Sequence, residues 1–359
     1  MIYIGKYYSD IMFSSELFDT AILLYKPLYK CDNLEILWFT DKVVQNNLLN
    51  IDFARYVANI LLKRKVNDES CLCYDYRTAI NIISISPNLR TKFIGANSQY
   101  IDWLNNKTTT RLWLSSEMQT PAIAILPSNE CTYSRIKKMY PNHDKFFIQS
   151  EISSGGKGTY FYTSENEKEI YKKLKYSSCY LVSPLIENAV TYNVHICVSN
   201  KQYWISPISR QISNFLEYHP LYGGSDFSNT HSMAIPRQID MIAQKLKELG
   251  FRGICGVDFM IADNVFIYIE CNNRFQGSSA TLDYLLKTNN LPSLYQLFIR
   301  AHNGDSLPTI AANQYKQTKC MYFTDSNVGK NINSICFCEV PMYRHWVFEE
   351  NILHIEPQD

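Results

Sequence analysis

The sequence predicts a protein of mixed α/β and α+β class that is built from several lobes. Three features support this: strands and helices that alternate over the first hundred residues, a glycine-rich hairpin near residue 155, and a hairpin near residue 265 whose second strand turns polar. At 359 residues the chain exceeds one ordinary domain, so we expect two or three lobes with a large buried core.

The first third of the chain alternates between strand-like apolar runs and helical patterns. Residues 34–40 and 79–86 are apolar runs typical of buried strands, and residues 47–65 have the pattern of an amphipathic helix. This alternation predicts a small parallel sheet with helices on both faces. The region has no GxGxxG motif, so no dinucleotide site is indicated.

Two short helices are predicted next, one ending near Asn105 and one running from about Lys107 to Ser116. Lys107 and Arg111 are four residues apart and therefore share a helix face. Surface lysine is common, so taken alone this pair indicates a solvated basic face.

A glycine-rich loop separates two predicted strands within residues 145–162. Glycines let backbone N–H groups approach an anion, and lysine and threonine side chains add donors. The loop is not a P-loop, because GK[ST] is missing and a strand follows it. Taken alone, it is also consistent with a plain hairpin. The candidate phosphate-binding residues are Ser154, Gly155, Gly156, Lys157, Gly158 and Thr159.

The next apolar strand, residues 180–186, ends in an acidic residue. Such a segment can contact an adenine and a ribose hydroxyl, and it can equally be ordinary core; its candidate residues are Ser183, Pro184, Leu185, Ile186 and Glu187. A strand at 191–198 carries His195, a further candidate for the cofactor site. Arg210 follows, then a predicted loop with the sequence GGSDF, and a helix at 236–249 that Gly250 ends.

The most informative stretch is residues 256–277, where Glu270, Asn272, Arg274 and Gln276 occupy every second position. Residues two apart in a strand share a face, so an acid, two amides and a cation point the same way. Asp258 on the preceding strand supplies a second carboxylate. Oxygen ligands of this kind suit Mg²⁺ bound to phosphate. Spacing alone leaves a metal site and a pair of solvated charges about equally supported.

The length of the turn decides whether Asp258 and Glu270 meet. A two-residue turn at Asp263 and Asn264 would place them on opposite faces, whereas a three-residue turn at 263–265 would place them side by side. We expect the three-residue turn. The predicted apolar back face then consists of Val257, Phe259, Ile261, Ile267 and Ile269.

The order of these motifs resembles the ATP-grasp superfamily, and the segment YIECNNRFQ is similar to the metal-binding strand of biotin carboxylase. The resemblance covers roughly residues 95–305. It implies an ATP-grasp fold with an N-terminal pre-grasp parallel-sheet lobe and two α+β lobes that clamp ATP. The implied division is a pre-grasp domain at 1–105, a small lobe at 106–182, a large lobe at 183–307 and a C-terminal extension at 308–359 that packs on the body.

The resemblance also implies roles for individual residues. Lys107 would contact phosphate, residues 183–186 would hold adenine and Glu187 the ribose or a neighbouring polar group. Asp258, Glu270 and Asn272 would bind Mg²⁺, with Mn²⁺ as an alternative ion. Arg274 would face the reacting groups, and Arg210 is a further catalytic candidate. One departure stands out: the lysine usual in the strand before the glycine loop is replaced by Gln149, which can donate hydrogen bonds but carries no charge.

The function implied is a ligase that activates a carboxylate as an acyl phosphate and joins it to an amine, such as an amino acid or peptide, releasing ADP and phosphate. The substrate could be free or bound to a carrier protein, and a homodimer is compatible with the class. The alternatives are a nucleotide-binding sensor or scaffold with a degenerate site, and a carboxylase-like enzyme.

Composition sets limits on partners and location. The formal net charge of +1 argues against nucleic-acid binding. No apolar run approaches the ~18 residues of a membrane span, and MIYIGKYYSD does not resemble a signal peptide. We therefore expect a reduced, cytoplasmic location. The eleven cysteines include no CxxC pair of a zinc ribbon or redox motif.

Overall fold

A computed structural model describes most of the chain and shows three β-sheets among the residues that it covers. The described residues are 1–27, 33–40, 51–64, 70–95, 100–153, 156, 158–174, 177–216, 218–227, 234–310, 314–315, 320–323, 344–348 and 351–355.

The N-terminal sheet is parallel, as the sequence predicts, with strand order β3-β2-β1-β4-β5. The helices α1 and α2 pack on one face, and helices from late in the chain cover the other. The elements are β1 (Ile2–Gly5), β2 (Thr20–Tyr25), β3 (Glu35–Thr40), α1 (Ile51–Lys63), β4 (Cys71–Cys73), α2 (Tyr76–Ile85) and β5 (Phe93–Ile94).

Two predictions for this region are wrong. The strand at 34–40 forms, but it is an edge strand with largely exposed or half-buried side chains rather than a buried one. The segment 79–86 is helical, because Asp75 caps the helix by accepting a hydrogen bond from the backbone N–H of Arg77. Its apolar residues also fit helical spacing, since Ala79, Ile82 and Ile83 are all buried.

The middle of the chain forms a four-stranded antiparallel sheet with order β6-β9-β7-β8. The glycine-rich loop joins β7 to β8, and the predicted helices before it are present. The elements are α3 (Ile101–Asn105), α4 (Lys107–Leu114), β6 (Ala124–Pro127), α5 (Tyr133–Met139), β7 (Phe146–Ser150), β8 (Thr159–Tyr162), α6 (Glu167–Lys173) and β9 (Cys179–Pro184).

The largest sheet is antiparallel and follows the order β15-β14-β10-β12-β13-β16-β17-β18, with β11 also paired to β10. Its elements are β10 (Val190–Val198), β11 (Tyr203–Ile205), β12 (Ser209–Leu216), β13 (His219–Asp226), α7 (Arg237–Glu248), β14 (Gly253–Ala262), β15 (Val265–Asn272), α8 (Ser279–Thr288), α9 (Leu294–Asn303), β16 (Cys320–Phe323), β17 (Arg344–Phe348) and β18 (Asn351–Ile355).

The residues GGSDF do not form the predicted loop. Most of them belong to β13, which pairs with β12 in an antiparallel hairpin. The predicted helix at 236–249 is confirmed as α7, and Gly250 follows it with a positive φ of 76°. Within the described part of the chain, no helix is long and apolar enough to cross a membrane.

The N-terminal sheet and the C-terminal helices share one core. Tyr3, Leu23 and Leu72 from the sheet belong to the same buried cluster as Tyr295 of α9 and Leu282 of α8. Two buried polar contacts reinforce this junction, because the Ser14 hydroxyl donates to Asp283 Oδ2 at 2.5 Å and Tyr295 Oη donates to the carbonyl of Asp10 at 2.8 Å. The parallel sheet is thereby fixed to the body that carries β14 and β15.

Candidate active site

The hairpin of β14 and β15 brings the two carboxylates together, but by a different route from the one expected. The turn contains two residues, Asp263 and Asn264, with φ of 49° and 63°. Aspartate and asparagine tolerate this left-handed region, and paired positive φ values favour a tight hairpin. The prediction of a three-residue turn is therefore wrong.

A β-bulge restores the alignment that the two-residue turn would otherwise prevent. Phe259 pairs with Tyr268, whereas Asp258 pairs with Glu270, so Ile269 is an extra residue on β15. The back face accordingly contains Phe266, Tyr268 and Cys271 opposite Ile261, Phe259 and Val257. The expected places of Ile267 and Ile269 on that face are wrong, because the bulge changes which residues of β15 point backward.

Amide side chains surround Asp258. Asn193 Nδ2 donates to Asp258 Oδ1 at 2.5 Å and lies 2.8 Å from Gln276 Oε1. Asn272 Nδ2 donates to Asp258 Oδ2 at 3.3 Å and to Glu270 Oε1 at 3.0 Å, linking the two acids. Burial, followed by the neighbouring charge of Glu270, raises the pKa of Asp258 to about 7.

Glu270 forms an ion pair with Lys107. Lys107 Nζ lies 2.9 Å from Glu270 Oε2, and the two side chains are only 4% and 16% exposed. Burial alone would raise the pKa of Glu270, but the Lys107 ammonium and the Asn272 amide lower it below its usual range. Lys107 therefore lies in the site and not on a solvated face, which corrects the interpretation that the spacing of Lys107 and Arg111 favoured.

Local structure fixes Lys107 where α4 begins. Asn106 caps this helix by accepting from the backbone N–H groups of Thr108 and Thr109. The Lys107 N–H donates to the carbonyl of Glu151 at 3.0 Å, just after β7. Lys107 Nζ also lies 3.0 Å from the hydroxyl of Ser153, at the beginning of the glycine-rich loop. The ammonium thus connects this loop to β15.

Arg111, one turn further along α4, is 1% exposed and contacts two other parts of the site. Its Nε donates to the carbonyl of Ile269, the bulged residue, at 2.9 Å, and its Nη2 donates to Gln149 Oε1 at 2.8 Å. Sequence reasoning did not include Arg111 among the site residues, nor Asn193 and Gln276. The four-residue spacing from Lys107 and the every-second-position pattern of β15 were the signals that pointed to Arg111 and Gln276.

Arg274 lies beside the carboxylates. Its Nη2 donates to Asn272 Oδ1 at 3.2 Å and its Nη1 to the carbonyl of Phe275 at 3.1 Å. The side chain is half-buried, so part of the guanidinium remains open to solvent. This location suits a group that contacts a substrate bound at the edge of the site.

The structure describes only part of the glycine-rich loop. Gly156 and Gly158 have positive φ values of 82° and 67°, and Thr159 at the beginning of β8 is buried. The backbone angle favours glycine at position 158, and a Cβ there would also lie 2.6 Å from Ser150 Oγ. Ser154, Gly155 and Lys157 lie outside the described residues.

The segment predicted to hold adenine ends β9. Ser183 is buried, the next three residues are half-buried, and the Leu185 N–H donates to the carbonyl of Lys145 at 2.9 Å. Glu187 is exposed and pairs with Lys145, with Oε1 2.5 Å from Nζ. A ribose contact by Glu187 would therefore compete with this exposed ion pair.

Two candidates lie away from the cluster. Arg210 is exposed and pairs across the sheet with Tyr192, whose neighbour Asn193 is the residue that faces Asp258. Because neighbouring strand residues point to opposite faces, Arg210 lies on the other side of the sheet. His195 is fully buried, with Nε2 3.0 Å from Ser279 Oγ, and burial lowers its pKa to about 3. The imidazole is linked to the cluster through Ser279, whose Oγ also accepts from the backbone N–H of Gln276 at 2.7 Å.

The donor set fits a magnesium ion that is shared with a phosphate. The described residues contain no group of three or more His, Cys, Asp or Glu side chains able to enclose a metal. Two carboxylates with one amide are nevertheless the usual protein share of a Mg²⁺ site, since phosphate and water supply the remaining oxygens. Asn272 now turns its amide nitrogen toward both acids, so its oxygen would have to rotate to become a ligand.

Comparison with known proteins agrees with this geometry. Residues 104–278 match a family model described as an ATP-grasp domain. No curated protein sequence matches the chain. Among solved structures, biotin carboxylase from Campylobacter jejuni, described as a βγ-ATP complex, is 14% identical with a TM-score of 0.66, over 90% of this chain and 76% of that one.

Two further structures have the same fold. N5-carboxyaminoimidazole synthetase from Staphylococcus aureus with ADP is 13% identical, with a TM-score of 0.62 over 92% of this chain and 84% of that one. The biotin carboxylase domain of 2-oxoglutarate carboxylase from Hydrogenobacter thermophilus, in complex with ADP, magnesium and bicarbonate, is 13% identical. Its TM-score is 0.65, over 90% of this chain and 74% of that one. The chain therefore has the ATP-grasp fold, and its match to the ATP-grasp domain model covers residues 104–278.

Proposed function

We propose that this protein is an ATP- and Mg²⁺-dependent ligase that phosphorylates a carboxylate and transfers the resulting acyl group to an amine. The observation that carries the proposal is the buried cluster in which Asp258 and Glu270 share a strand face with Asn272, while Lys107 contacts Glu270. Paired acids with a neighbouring cation are suited to a metal-bound polyphosphate.

The carboxylates and Asn272 would hold the metal, which when bound offsets negative charge on the phosphate oxygens. Lys107 would exchange its contact with Glu270 for a phosphate oxygen, since an ammonium donates equally well to either anion. The backbone N–H groups of the glycine-rich loop would add neutral donors. The half-buried apolar residues after Ser183 would pack against the base.

Catalysis follows from the position of Arg274. A substrate carboxylate oxygen attacks the γ-phosphorus, the bond from phosphorus to the β–γ bridging oxygen breaks, and ADP leaves. An amine nitrogen then attacks the acyl carbon, loses a proton to solvent, and phosphate departs. The Arg274 guanidinium, held by Asn272, would stabilise charge on the carboxylate in the first step and on the tetrahedral oxyanion in the second.

The test is ADP release measured with a panel of amino acids and short peptides, each alone and in pairs. Each of these compounds carries both an acid and an amine, so a ligase would release ADP and phosphate in equal amounts with the single compound or the pair that fits both substrate positions. Purified protein that binds MgATP but releases no ADP with any pair would contradict the proposal and would favour a nucleotide sensor.

A carboxylase-like reaction is a second candidate, because solved structures with this fold include carboxylases, one of them in complex with ADP, magnesium and bicarbonate. In that case bicarbonate would be the acid that is phosphorylated. ADP release that depends on bicarbonate and on no organic acid would favour this candidate, whereas release that is insensitive to removal of bicarbonate would exclude it.

A further inference from the structure

Two cations are buried on one face of α4, and among the described residues only Lys107 has a carboxylate ion-pair partner. Lys107 pairs with Glu270, whereas the hydrogen bonds of Arg111 within the described residues go to neutral acceptors, the carbonyl of Ile269 and the amide oxygen of Gln149. Glu270 is the carboxylate whose charge acts on Arg111, and it is already shared with Lys107. A buried guanidinium without its own counter-ion is costly unless an anion completes the site.

Charge balance indicates the nature of this anion. If Asp258 and Glu270 bind a divalent cation, the metal balances their two negative charges. Lys107 and Arg111 then remain as two buried positive charges without carboxylate partners. A polyphosphate would neutralise them.

The contact with Gln149 shows how Arg111 can act on a phosphate. Because Arg111 Nη2 donates to Gln149 Oε1, the amide is oriented with its donor atom, Nε2, at the other end. Gln149 lies in β7, which leads into the glycine-rich loop, so this N–H₂ group would donate at the side of the site where that loop begins. The amide therefore has one defined orientation rather than two.

We infer that Arg111 is a positioning residue of the phosphate subsite, which supplies its second buried positive charge and fixes Gln149 as a donor to the nucleotide phosphates. This inference rests on the proposed function. It also explains why an uncharged residue occupies position 149, because a lysine there would place an ammonium against the buried guanidinium of Arg111. One cation at positions 111 and 149 is favourable, whereas two adjacent cations would repel each other.

The experiment is a double-mutant cycle with Arg111→Gln, Gln149→Lys and the double variant, in which the cation and the amide exchange positions. Binding of MgADP and of adenosine is measured by titration calorimetry, and folding is checked by circular dichroism and urea unfolding. Adenosine carries no phosphate, so a change in its affinity would report general damage to the site. The ratio of the two affinities isolates the phosphate subsite.

We expect each single substitution to weaken MgADP binding about tenfold, the size of one charge-assisted hydrogen bond, and to leave adenosine binding within about twofold. The double variant, which again has one cation and one amide, should recover most of the loss. Should Arg111→Gln fail to fold, Gln149→Lys still decides the question, because it leaves Arg111 in place.

Binding of MgADP by Gln149→Lys as tight as by the wild-type protein would overturn the inference, as would a double variant no better than the weaker single one. Equal losses of affinity for MgADP and adenosine would show that Arg111 has only a structural role, and this result would also overturn the inference. Failure of the wild-type protein itself to bind MgADP would contradict the proposed function, and that outcome is separate from the other three.

Discussion

Lys107 Nζ lies 2.9 Å from Glu270 Oε2, in an ion pair whose members are 4% and 16% exposed. The pair joins the beginning of α4 to β15, two segments more than 150 residues apart in the chain. Under the proposed function, Lys107 would also contact the nucleotide and Glu270 its metal. Ligand binding must therefore redistribute this pair, and stability and nucleotide affinity should be linked through it.

Replacement of Lys107 by Met should lower the free energy of unfolding by about 2–4 kcal/mol, because Glu270 would remain buried without its cation. The measurement is urea unfolding near neutral pH without nucleotide. The matched control is the double variant Lys107→Met with Glu270→Gln, which removes the unpaired charge and should be more stable than Lys107→Met alone. A single variant as stable as the wild-type protein would contradict the description of the pair as buried and coupled.

Arg274 and Arg210 provide a second matched comparison, because Arg274 donates to Asn272 beside the carboxylates, whereas Arg210 lies on the opposite face of the sheet. Arg274→Ala should reduce kcat by about 10²- to 10³-fold, the cost of losing one group that stabilises developing charge. Its affinity for MgADP should change by less than about threefold, since ADP lacks the reacting phosphoryl group. Arg210→Ala should leave kcat within about twofold. Equal losses in the two variants would refute the assignment of Arg274.

The two-residue turn can be tested through backbone conformation. Asn264 has a φ of 63°, so Asn264→Ala should destabilise the protein by about 1 kcal/mol, whereas Asn264→Gly should be neutral or slightly stabilising. Urea unfolding of the two variants gives the comparison. If alanine is tolerated as well as glycine, the turn has a different conformation from the one described.

Asp283 predicts a pH dependence that does not involve the nucleotide site. Burial raises its pKa to about 6, although Ser14 and the N–H of Leu294 both donate to it. Since the pKa is higher in the folded than in the unfolded state, its contribution to stability is present below about pH 4 and is lost as the pH rises through about 6.

The Asp283→Asn variant cannot titrate at this position. Its free energy of unfolding should therefore rise by about 2–3 kcal/mol relative to that of the wild-type protein as the pH increases between those limits. Urea unfolding of both proteins across this pH range measures the difference. A constant difference would show that Asp283 has no raised pKa in the folded state.

Much of the fold could be predicted from the sequence because the signals for it extend over whole segments of the chain. The order of the basic helix, the glycine-rich loop, the apolar strand and the polar hairpin indicated the ATP-grasp fold, and the parallel N-terminal sheet followed from alternating periodicities. The segment 79–86 was assigned wrongly because its apolar residues fit both a strand and a helix. The cap at Asp75 decided between them.

Site details were harder to predict because they depend on contacts between distant segments. Turn parity alone would have separated Asp258 from Glu270, and only the bulge at Ile269 aligns them. Arg111 donates to the carbonyl of that bulged residue, which is 158 positions away. The bulge leaves no mark in local residue patterns, and the burial of Lys107 and Arg111 is likewise a tertiary effect.

The most direct test of the central claim is titration of ADP into the wild-type protein and into Glu270→Gln, each with Mg²⁺ and with the metal removed by chelation. Mg²⁺ should strengthen ADP binding to the wild-type protein by at least about tenfold. In Glu270→Gln this gain should disappear while the metal-free affinity is retained. An equal gain from Mg²⁺ in both proteins would contradict the assignment of the hairpin as the metal site.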